Sequence, residues 1–98
     1  MIIVTGWLEV DPSDRAGFVE GSAEAVRLAR ATPGCLDFAV SADTVQDDRV
    51  NILERWAGAE ALHKFRGVGP EGEQLATIRS FHVNEFEVPV ARPAPRAS

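Results

Sequence analysis

Two strand-like segments joined by a short polar stretch are the feature that most limits the possible folds of this chain. Residues 35–42 (CLDFAVSA) alternate apolar and polar side chains, and residues 49–56 (RVNILERW) do so again after the turn-like residues 43–48. Such alternation is typical of half-buried strands, and the short connection predicts an antiparallel pair. Pro33 and Gly34 stand directly before the first segment and cannot continue a helix, so we expect a preceding helix to end there.

The segments on either side complete a β-α-β-β-α-β order. The further predicted elements are a strand over residues 2–10, a helix over 11–31, a short helix over 57–67, one or two helical turns within 73–79 and a strand over 80–88. The first helix begins where Asp11 can cap its N-terminus and where Pro12 fits its first turn. This order is that of the split βαβ, ferredoxin-like fold, an α+β arrangement in which helices cover one face of a four-stranded antiparallel sheet.

The sheet face away from the helices is predicted to carry large apolar side chains. Alternation along the strands favours Ile3, Trp7, Leu53 and Val83 on this face. An exposed apolar face of this kind needs a cover, and a second copy of the chain is the simplest one. We therefore expect a homodimer.

Charge and cysteine content argue against several classes of protein. The 98 residues suit one domain, and a formal net charge of −5 disfavours binding to nucleic acid or to an anionic membrane, since both require basic patches. The single cysteine, Cys35, has no partner for an internal disulfide, and no Cys/His cluster is spaced to hold zinc. No apolar run approaches the ~18 residues of a membrane span, and the first residues lack the features of a signal peptide, so we expect a cytoplasmic location.

The last ten residues differ in composition from the rest of the chain. Residues 89–98 (PVARPAPRAS) are rich in proline, which disfavours both helix and strand. We expect a domain over residues 1–88 and a tail over 89–98 that stays mobile or lies on a partner.

Four segments together resemble the antibiotic biosynthesis monooxygenase (ABM) family. They are the opening MIIVTGWLEV, the stretch ATPGCLDFAVSAD, the strand and helix RVNILERWAGAEALHKFRG, and the final EFEV. The likeness extends over about residues 1–88 and implies a dimeric α+β barrel, in which two sheets pack face to face and each subunit holds a pocket between sheet and helices. Some members of the family oxygenate polycyclic aromatic phenols without metal or flavin, others oxidise quinols, a separate branch degrades haem, and many have no known activity.

The match to the catalytic residues of the family is partial. Trp56 corresponds to a strand tryptophan that lines the pocket of oxygenase members, but Ile52 stands where the anthrone-oxidising branch has asparagine. Gly6 stands where the haem-degrading branch has asparagine, and His63 lies near its axial histidine in a different local pattern. Phe65 stands where many members have histidine, and the chain contains no tyrosine. The resemblance therefore argues against haem degradation and leaves the known residue set for anthrone oxygenation incomplete.

Oxygenation without a cofactor needs an apolar pocket and a base that removes a substrate proton. His63 and His82 are the candidate catalytic bases, because the ordinary pKa of histidine lies near neutrality. His63, on the short helix, either borders the pocket or points to water. His82 and Asn84 lie at the pocket rim if Phe86 faces the helices, and otherwise His82 is a structural residue.

Trp56 either forms the pocket wall, with its indole N–H as a donor, or fills the hydrophobic core. The predicted substrate-binding residues are Trp56, Ile52, Phe65, Phe38 and Asn84, and no metal site is predicted. Glu54 shares the parity of Trp56 and would point toward the helices, where a carboxylate needs a partner or a place at the edge; the alternative is an edge salt bridge with Arg55.

Two further features have a structural and a functional interpretation. Cys35 is expected to be a buried, unreactive thiol because no basic residue stands beside it in the sequence. The stretch GVGPEG, residues 67–72, lacks the lysine of a phosphate-binding loop, and is either a flap beside the pocket or a plain connector.

The predicted function is the oxidation of an aromatic phenol or quinol by a cofactor-independent monooxygenase. A non-catalytic dimer that binds a small hydrophobic ligand or regulates another enzyme is the alternative, and an isomerase or cyclase of polyketide intermediates is a third possibility. The missing tyrosine and Ile52 favour the non-catalytic dimer. A histidine within hydrogen-bond reach of an indole-lined cavity would favour the enzyme.

Overall fold

The computed structural model describes residues 1–66 and 75–96 and contains the predicted four-stranded sheet. Its elements are β1 (Ile2–Val10), α1 (Pro12–Gly21), α2 (Ala23–Arg30), β2 (Cys35–Ala42), β3 (Arg49–Trp56), α3 (Ala59–Arg66) and β4 (Ile78–Glu87). The strands lie in the order β2-β3-β1-β4, and each neighbouring pair is antiparallel. The α+β, ferredoxin-like prediction is confirmed, and the bounds of β2 and β3 are those predicted.

The first crossover contains two helices, so the prediction of one continuous helix to about residue 31 was wrong. Helix α1 ends at Gly21, and the buried Ser22 separates it from α2. The Ser22 hydroxyl donates a hydrogen bond to the Phe18 carbonyl at 2.9 Å, which takes up a carbonyl oxygen of the last turn of α1. Gly–Ser pairs and serine hydroxyls bonded four residues back are known causes of bends in helices.

The turn before β2 depends on a glycine, as the Pro33–Gly34 break predicted. Gly34 has a φ of 92°, and a Cβ atom there would lie 2.6 Å from the Ala61 Cβ. Its carbonyl accepts a hydrogen bond from the Ala57 amide at 2.7 Å. Gly34 thereby brings the start of β2 close to α3, the helix that follows β3.

A register shift near the start of β2 changes which side chains face the helices. Cys35 pairs with Trp56, whereas Asp37 pairs with Arg55, so Leu36 falls within an irregular step. Cys35 consequently packs against the core, and Leu36 is 51% exposed. The alternation predicted along residues 35–42 places Leu36 on the apolar face of Phe38, and that prediction was wrong at Leu36.

Strand β4 begins at Ile78, which is earlier than predicted, and the helical part of the preceding segment is limited to residues 75–76 among those described. Gly6 lies opposite Val83, and opposite residues of an antiparallel pair point to the same side of the sheet. Val83 therefore points toward the helices with Val4 and Leu8, and its predicted place on the other face was wrong. The predicted flap at residues 67–72 lies outside the described residues.

The core lies between the sheet and the helices in two clusters. One contains Val4, Ala29, Phe38, Trp56 and Leu62, and the other contains Leu8, Val10 and Val50. Helices α1 and α2 pack mainly over β2 and β3, and α3 packs on β3. The region over β1 and β4 is thus the part of the sheet that these helices cover least.

Beyond β4 the described residues 88–96 form neither helix nor strand. Met1 and Val88 exchange backbone hydrogen bonds of 3.0 and 2.8 Å, which fix the end of the sheet. The division of the chain into a domain over 1–88 and a tail stays a prediction. In residues 1–66 and 75–96, none of the helices has the length and apolar character required to cross a membrane.

Candidate functional site

A cavity of about 380 Å³ lies on the helix side of the sheet and touches both core clusters. The described residues that line it are Val4, Leu8, Phe18, Ser22, Ala25, Phe38, Val40, Ile52, Glu54, Phe65, Arg66, Leu75, Ile78, Phe81, Val83 and Glu85. Leu75 is 50% exposed and Phe81 is 63% exposed, so the cavity is open to solvent on the β4 side. Most of its lining is apolar, as in ligand pockets generally.

A glycine in the middle of β1 helps to explain where the cavity lies. Ile52, Gly6 and Val83 form one row across the central strands, and Gly6 contributes no side chain to it. A Cβ atom at Gly6, whose φ is 147°, would lie 2.0 Å from the carbonyl oxygen of His82 on β4. Any larger residue at position 6, including the asparagine of the haem-degrading branch, would therefore require the β1 and β4 backbones to separate.

Glu54 and Trp56 form a polar contact between the core and the cavity. The two residues are separated by one position on β3 and therefore point to the same side of the sheet. The Trp56 indole Nε1–H donates a hydrogen bond of 3.0 Å to Glu54 Oε1. Glu54 lines the cavity, whereas Trp56 is 0% exposed and packs against Phe38 and Phe65 with ring centroids 6.4 and 5.4 Å away.

A second polar group lies across β1 from Glu54. Val4 pairs with Glu54 on one side and with Glu85 on the other, which places both carboxyl groups in one row on the helix side. Arg66, at the end of α3, donates a hydrogen bond to Glu85 and also lines the cavity. The charged groups of the described cavity lining are therefore two carboxyl groups and one guanidinium group.

The surroundings of Glu54 disfavour its charged form. Burial against the apolar lining raises the pKa of the Glu54 carboxyl group above its ordinary value, while the hydrogen bond from Trp56 and the positive charge of Arg66 act in the opposite direction. The pKa of Glu54 is thus closer to neutral pH than that of an exposed glutamate. A carboxyl group of this kind can both accept and return a proton.

Three of the predicted substrate-binding residues, Ile52, Phe38 and Phe65, line the cavity. Trp56 is on the predicted side of the sheet but lies behind the cavity wall, because Phe38 and Phe65 pack against its ring. Among the described residues, the indole reaches the cavity only through its hydrogen bond to Glu54. The ring thus belongs to the hydrophobic core, and its N–H group serves the site.

The two histidines do not reach the cavity within the described part of the chain. His63 is exposed on α3. His82 pairs with Trp7 on the opposite face of the sheet and stacks on its ring, with centroids 4.9 Å apart. Asn84 pairs with Thr5 and Phe86 pairs with Ile3, so they also lie on that opposite face. The condition for placing His82 and Asn84 at the pocket rim, that Phe86 faces the helices, is not met.

The residues predicted for the site did not include Glu54, Glu85 or Arg66. The shared parity of Glu54 and Trp56 did indicate that Glu54 faces the helices, and this orientation is confirmed. The signal for Glu85 is its alternation with Val83, which becomes visible only once the register of β4 is known. The position of Arg66 depends on the packing of α3, and no local pattern reveals it.

Neither metal-binding nor thiol chemistry has a prepared site in the described residues. Residues 1–66 and 75–96 contain no group of three or more histidine, cysteine, aspartate or glutamate side chains that could hold a metal ion. Burial raises the pKa of the Cys35 thiol, which disfavours the reactive thiolate. Cys35 therefore has the environment of an unreactive core residue.

Comparison with known proteins agrees with this fold. The model of the family named antibiotic biosynthesis monooxygenase matches residues 1–69. The chain belongs to the antibiotic biosynthesis monooxygenase family. No functionally curated protein matches it.

Several solved structures share the fold at low sequence identity. The "putative antibiotic biosynthesis monooxygenase" of Deinococcus radiodurans is 20% identical and aligns over 98% of this chain and 100% of its own, with a TM-score of 0.83. A protein of the same description from Chloroflexus aurantiacus is 22% identical, over 95% and 96% of the two chains, with a TM-score of 0.74. A conserved protein of unknown function from Bacteroides thetaiotaomicron, described as a "possible oxidoreductase", is 18% identical over 89% and 96%, with a TM-score of 0.76.

Proposed function

We propose that this protein is a cofactor-independent monooxygenase that oxidises an aromatic phenol or quinol in the cavity on the helix side of its sheet. The observation that carries the proposal is an apolar cavity of about 380 Å³ with a partly buried carboxyl group at its wall, in a domain of the monooxygenase family. Its volume lies within the range of pockets for drug-sized ligands. An apolar lining also favours molecular oxygen and excludes water from reactive intermediates.

The proposed substrate supplies all the electrons that reduce oxygen. For an anthrone-like compound, a ring CH₂ group becomes a carbonyl group: one atom of O₂ enters the product and the other leaves as water with the two hydrogen atoms. For a quinol, loss of two electrons and two protons gives the quinone, and O₂ becomes hydrogen peroxide. Both reactions begin with loss of a proton, which requires a base at the cavity wall.

A homodimer is part of the proposal. The sheet face away from the helices presents Ile3, Trp7, Leu53 and Phe86, and burying apolar side chains of this size favours association. Packing two such faces together would leave one cavity in each subunit on the outer, helix-covered side. The cavity as described is therefore lined within a single chain.

Oxygen consumption with anthrone and with a naphthohydroquinone tests the proposal. Ala25 lines the cavity from α2, so Ala25→Leu should occupy part of it and slow oxygen uptake by about tenfold. Ala16→Leu adds the same side chain at an exposed position of α1 and serves as the matched control. Uptake by the wild-type protein that does not exceed the rate in buffer would contradict the proposal.

Non-catalytic binding of a small hydrophobic ligand is the second candidate function. It is favoured by the absence of histidine and tyrosine from the described lining of the cavity. This function predicts that Ala25→Leu weakens ligand binding. It also predicts that neither the wild-type protein nor the variant consumes oxygen. The role of His63 or His82 as a base stays a prediction from the sequence, and the proposed mechanism does not depend on it.

A further inference from the structure

The Glu54 carboxyl group has an arrangement that hydrophobic packing alone does not explain. Its neighbours in the row across the sheet are the apolar side chains Phe38 and Val4. Glu54 takes part in no ion pair within residues 1–66 and 75–96, and Arg66, whose positive charge acts on the Glu54 carboxyl group, pairs with Glu85. A carboxyl group without an ion pair in apolar surroundings destabilises a fold, which makes a functional reason for its presence worth testing.

The two oxygen atoms of this carboxyl group have different surroundings. Oε1 accepts the hydrogen bond of the Trp56 indole, whose ring is held by the core. Oε2 has no hydrogen-bond partner among the described residues, and the residue lines the cavity. The carboxyl group is therefore held by one oxygen and can present the other to a bound molecule.

We propose that Glu54 is the catalytic base of the reaction, with Oε2 accepting the hydroxyl proton of an aromatic substrate while Trp56 acts as a positioning residue through Oε1. This inference rests on the proposed function for the oxidation that follows. The substrate O–H bond breaks, the proton forms a bond to Oε2, and the electron pair stays on the substrate oxygen as a phenolate. With a quinol, molecular oxygen then accepts two electrons from this anion and the quinone forms. The hydrogen peroxide leaves with the proton held by Glu54 and the proton of the second hydroxyl group.

The charged and titratable groups around Glu54 are compatible with this step. Arg66 faces the cavity from α3 and would stabilise the phenolate by its positive charge, whereas Glu85 on β4 partly neutralises that guanidinium group. Cys35 on β2 is a further titratable neighbour in the described part of the chain, and burial raises the pKa of its thiol, so it contributes no negative charge near neutral pH. Glu54 is thus the acceptor best placed for a hydroxyl hydrogen in the described lining.

The matched pair 2-naphthol and 2-methoxynaphthalene tests the inference without requiring oxidation. Only the naphthol can donate a hydrogen bond, so titration calorimetry at pH 8 should show about tenfold tighter binding of naphthol than of its methyl ether to the wild-type protein. Glu54→Gln keeps a carbonyl acceptor for the Trp56 indole but loses the charge, and should reduce this preference to about threefold or less. Glu60→Gln, on the exposed surface of α3, should retain the full preference.

Two further measurements separate a positioning role from a structural one. Trp56→Phe keeps an aromatic ring in the core but removes the N–H donor, so it should reduce the naphthol preference and leave the affinity for the methyl ether unchanged. In the wild-type protein, the preference should decrease as the pH is lowered and Glu54 becomes protonated. With the naphthohydroquinone, which carries the hydroxyl proton that Oε2 would accept, kcat/KM of Glu54→Gln should be about 100-fold lower and should lose the rise with pH that ionisation of Glu54 causes.

The possible outcomes distinguish this inference from the proposed function. Equal affinity of the wild-type protein for naphthol and its methyl ether, or an unchanged preference in Glu54→Gln, would overturn the role of Glu54 alone. Failure of both compounds to bind would overturn this inference together with the proposed function. A naphthol preference that depends on Glu54, without oxygen uptake on anthrone or quinol, would support Glu54 as the hydroxyl acceptor and contradict the oxidation.

Discussion

At the scale of single residues, the hydrogen bond from Trp56 to Glu54 connects the hydrophobic core with the cavity. The indole is fully buried, and its N–H group would lack a partner without a nearby acceptor. An unpaired buried donor costs about 1–3 kcal/mol, so Glu54 has a structural value as well as the proposed chemical one. Glutamine at position 54 can accept the hydrogen bond from the Trp56 indole, but it cannot act as the base.

The pH dependence of stability should show that Glu54 is unfavourable in its charged form. Folding raises the pKa of Glu54 above 4.5. Between pH 4.5 and the folded-state pKa, the folded chain therefore binds more protons than the unfolded chain. The contribution of Glu54 to stability consequently falls as the pH rises through this window. Glu54→Gln removes this contribution. The free energy of unfolding in urea should therefore favour the variant increasingly as the pH is raised through this window.

Glu60→Gln is the control for this experiment because Glu60 is exposed. If the difference in unfolding free energy between wild type and Glu54→Gln does not change with pH, the environment described for Glu54 is wrong. Unfolding must be reversible at each pH for the comparison to hold.

Side-chain alternation predicted part of the site and failed at its edge. On the central strand β3, every second residue faces the helices, so Ile52, Glu54 and Trp56 were correctly placed on one side. On the edge strand β4, apolar residues occur at both parities, for example Phe81 on the helix side and Phe86 on the other. Only the pairing of β4 with β1 shows which parity faces the helices, and no local sequence pattern reveals that register.

At the scale of elements, the connection between β2 and β3 is stabilised by one carboxylate. Asp43 accepts hydrogen bonds from the amides of Val45 and Gln46 at 3.0 and 2.9 Å and from the Asn51 side chain at 2.9 Å. Arg15 of α1 donates to the carbonyls of Asp43 and Gln46, which ties the first helix to this connection. The turn therefore couples a helix to the hairpin.

The hydrogen bonds to Asp43 should make stability fall in acid. They lower the pKa of its carboxyl group from 3.8 to about 2, so the stability they provide is fully present above pH 4 and is lost as the pH falls through about 2. Asp43→Ala should lower the Tm at pH 7 and reduce the loss of stability between these pH values. Thermal unfolding followed by circular dichroism measures both effects.

Asp47→Ala in the same connection is the matched control, because Asp47 is exposed and accepts no hydrogen bond among the described residues. A Tm loss of equal size in the two variants would show that the connection does not depend on the Asp43 carboxylate.

The elements were predicted from the sequence wherever local chemistry decides them. Alternation and the polar residues 43–48 gave the correct bounds of β2 and β3, and the Pro33–Gly34 break gave the correct end of the helical crossover. The break at Ser22 was missed because the apolar pattern continues across it and the deciding hydrogen bond to Phe18 is a detail of packing. Register shifts at Cys35 and Glu9 were missed for the same reason.

At the scale of the whole molecule, the sheet has two faces with different roles. The helix side contains the core and the cavity, whereas the open face carries a stacked group in which Arg49 lies over the Trp7 ring at 4.2 Å and His82 stacks at 4.9 Å. Arg49 and His82 thereby cover part of the Trp7 ring within a single chain. The apolar positions beside it, such as Ile3 and Leu53, are the surface on which the proposed dimer would form.

Leu53→Glu should dissociate the proposed dimer without disturbing the cavity. Leu53 points to the open face from the central strand β3, and an unpaired charge buried there by dimerisation should raise the dissociation constant by about 100-fold or more. Light scattering after gel filtration should give twice 10.6 kDa for the wild type and a mass near 10.6 kDa for the variant. Val45→Glu, at a position that is 89% exposed, should remain dimeric.

A wild-type protein that elutes as a monomer at high concentration would contradict the dimer. The cavity does not depend on the dimer, since its described lining comes from one chain.

The central claim is that an aromatic hydroxyl compound binds on the helix side of the sheet, beside Glu54. The chain has two tryptophans on opposite faces, Trp56 bonded to Glu54 and Trp7 on the open face, so their indole N–H signals in a ¹H–¹⁵N correlation spectrum report the two faces separately. Titration with 2-naphthol should shift the Trp56 indole signal and leave that of Trp7 in place. A shift confined to Trp7, or none at saturating naphthol, would contradict the claim.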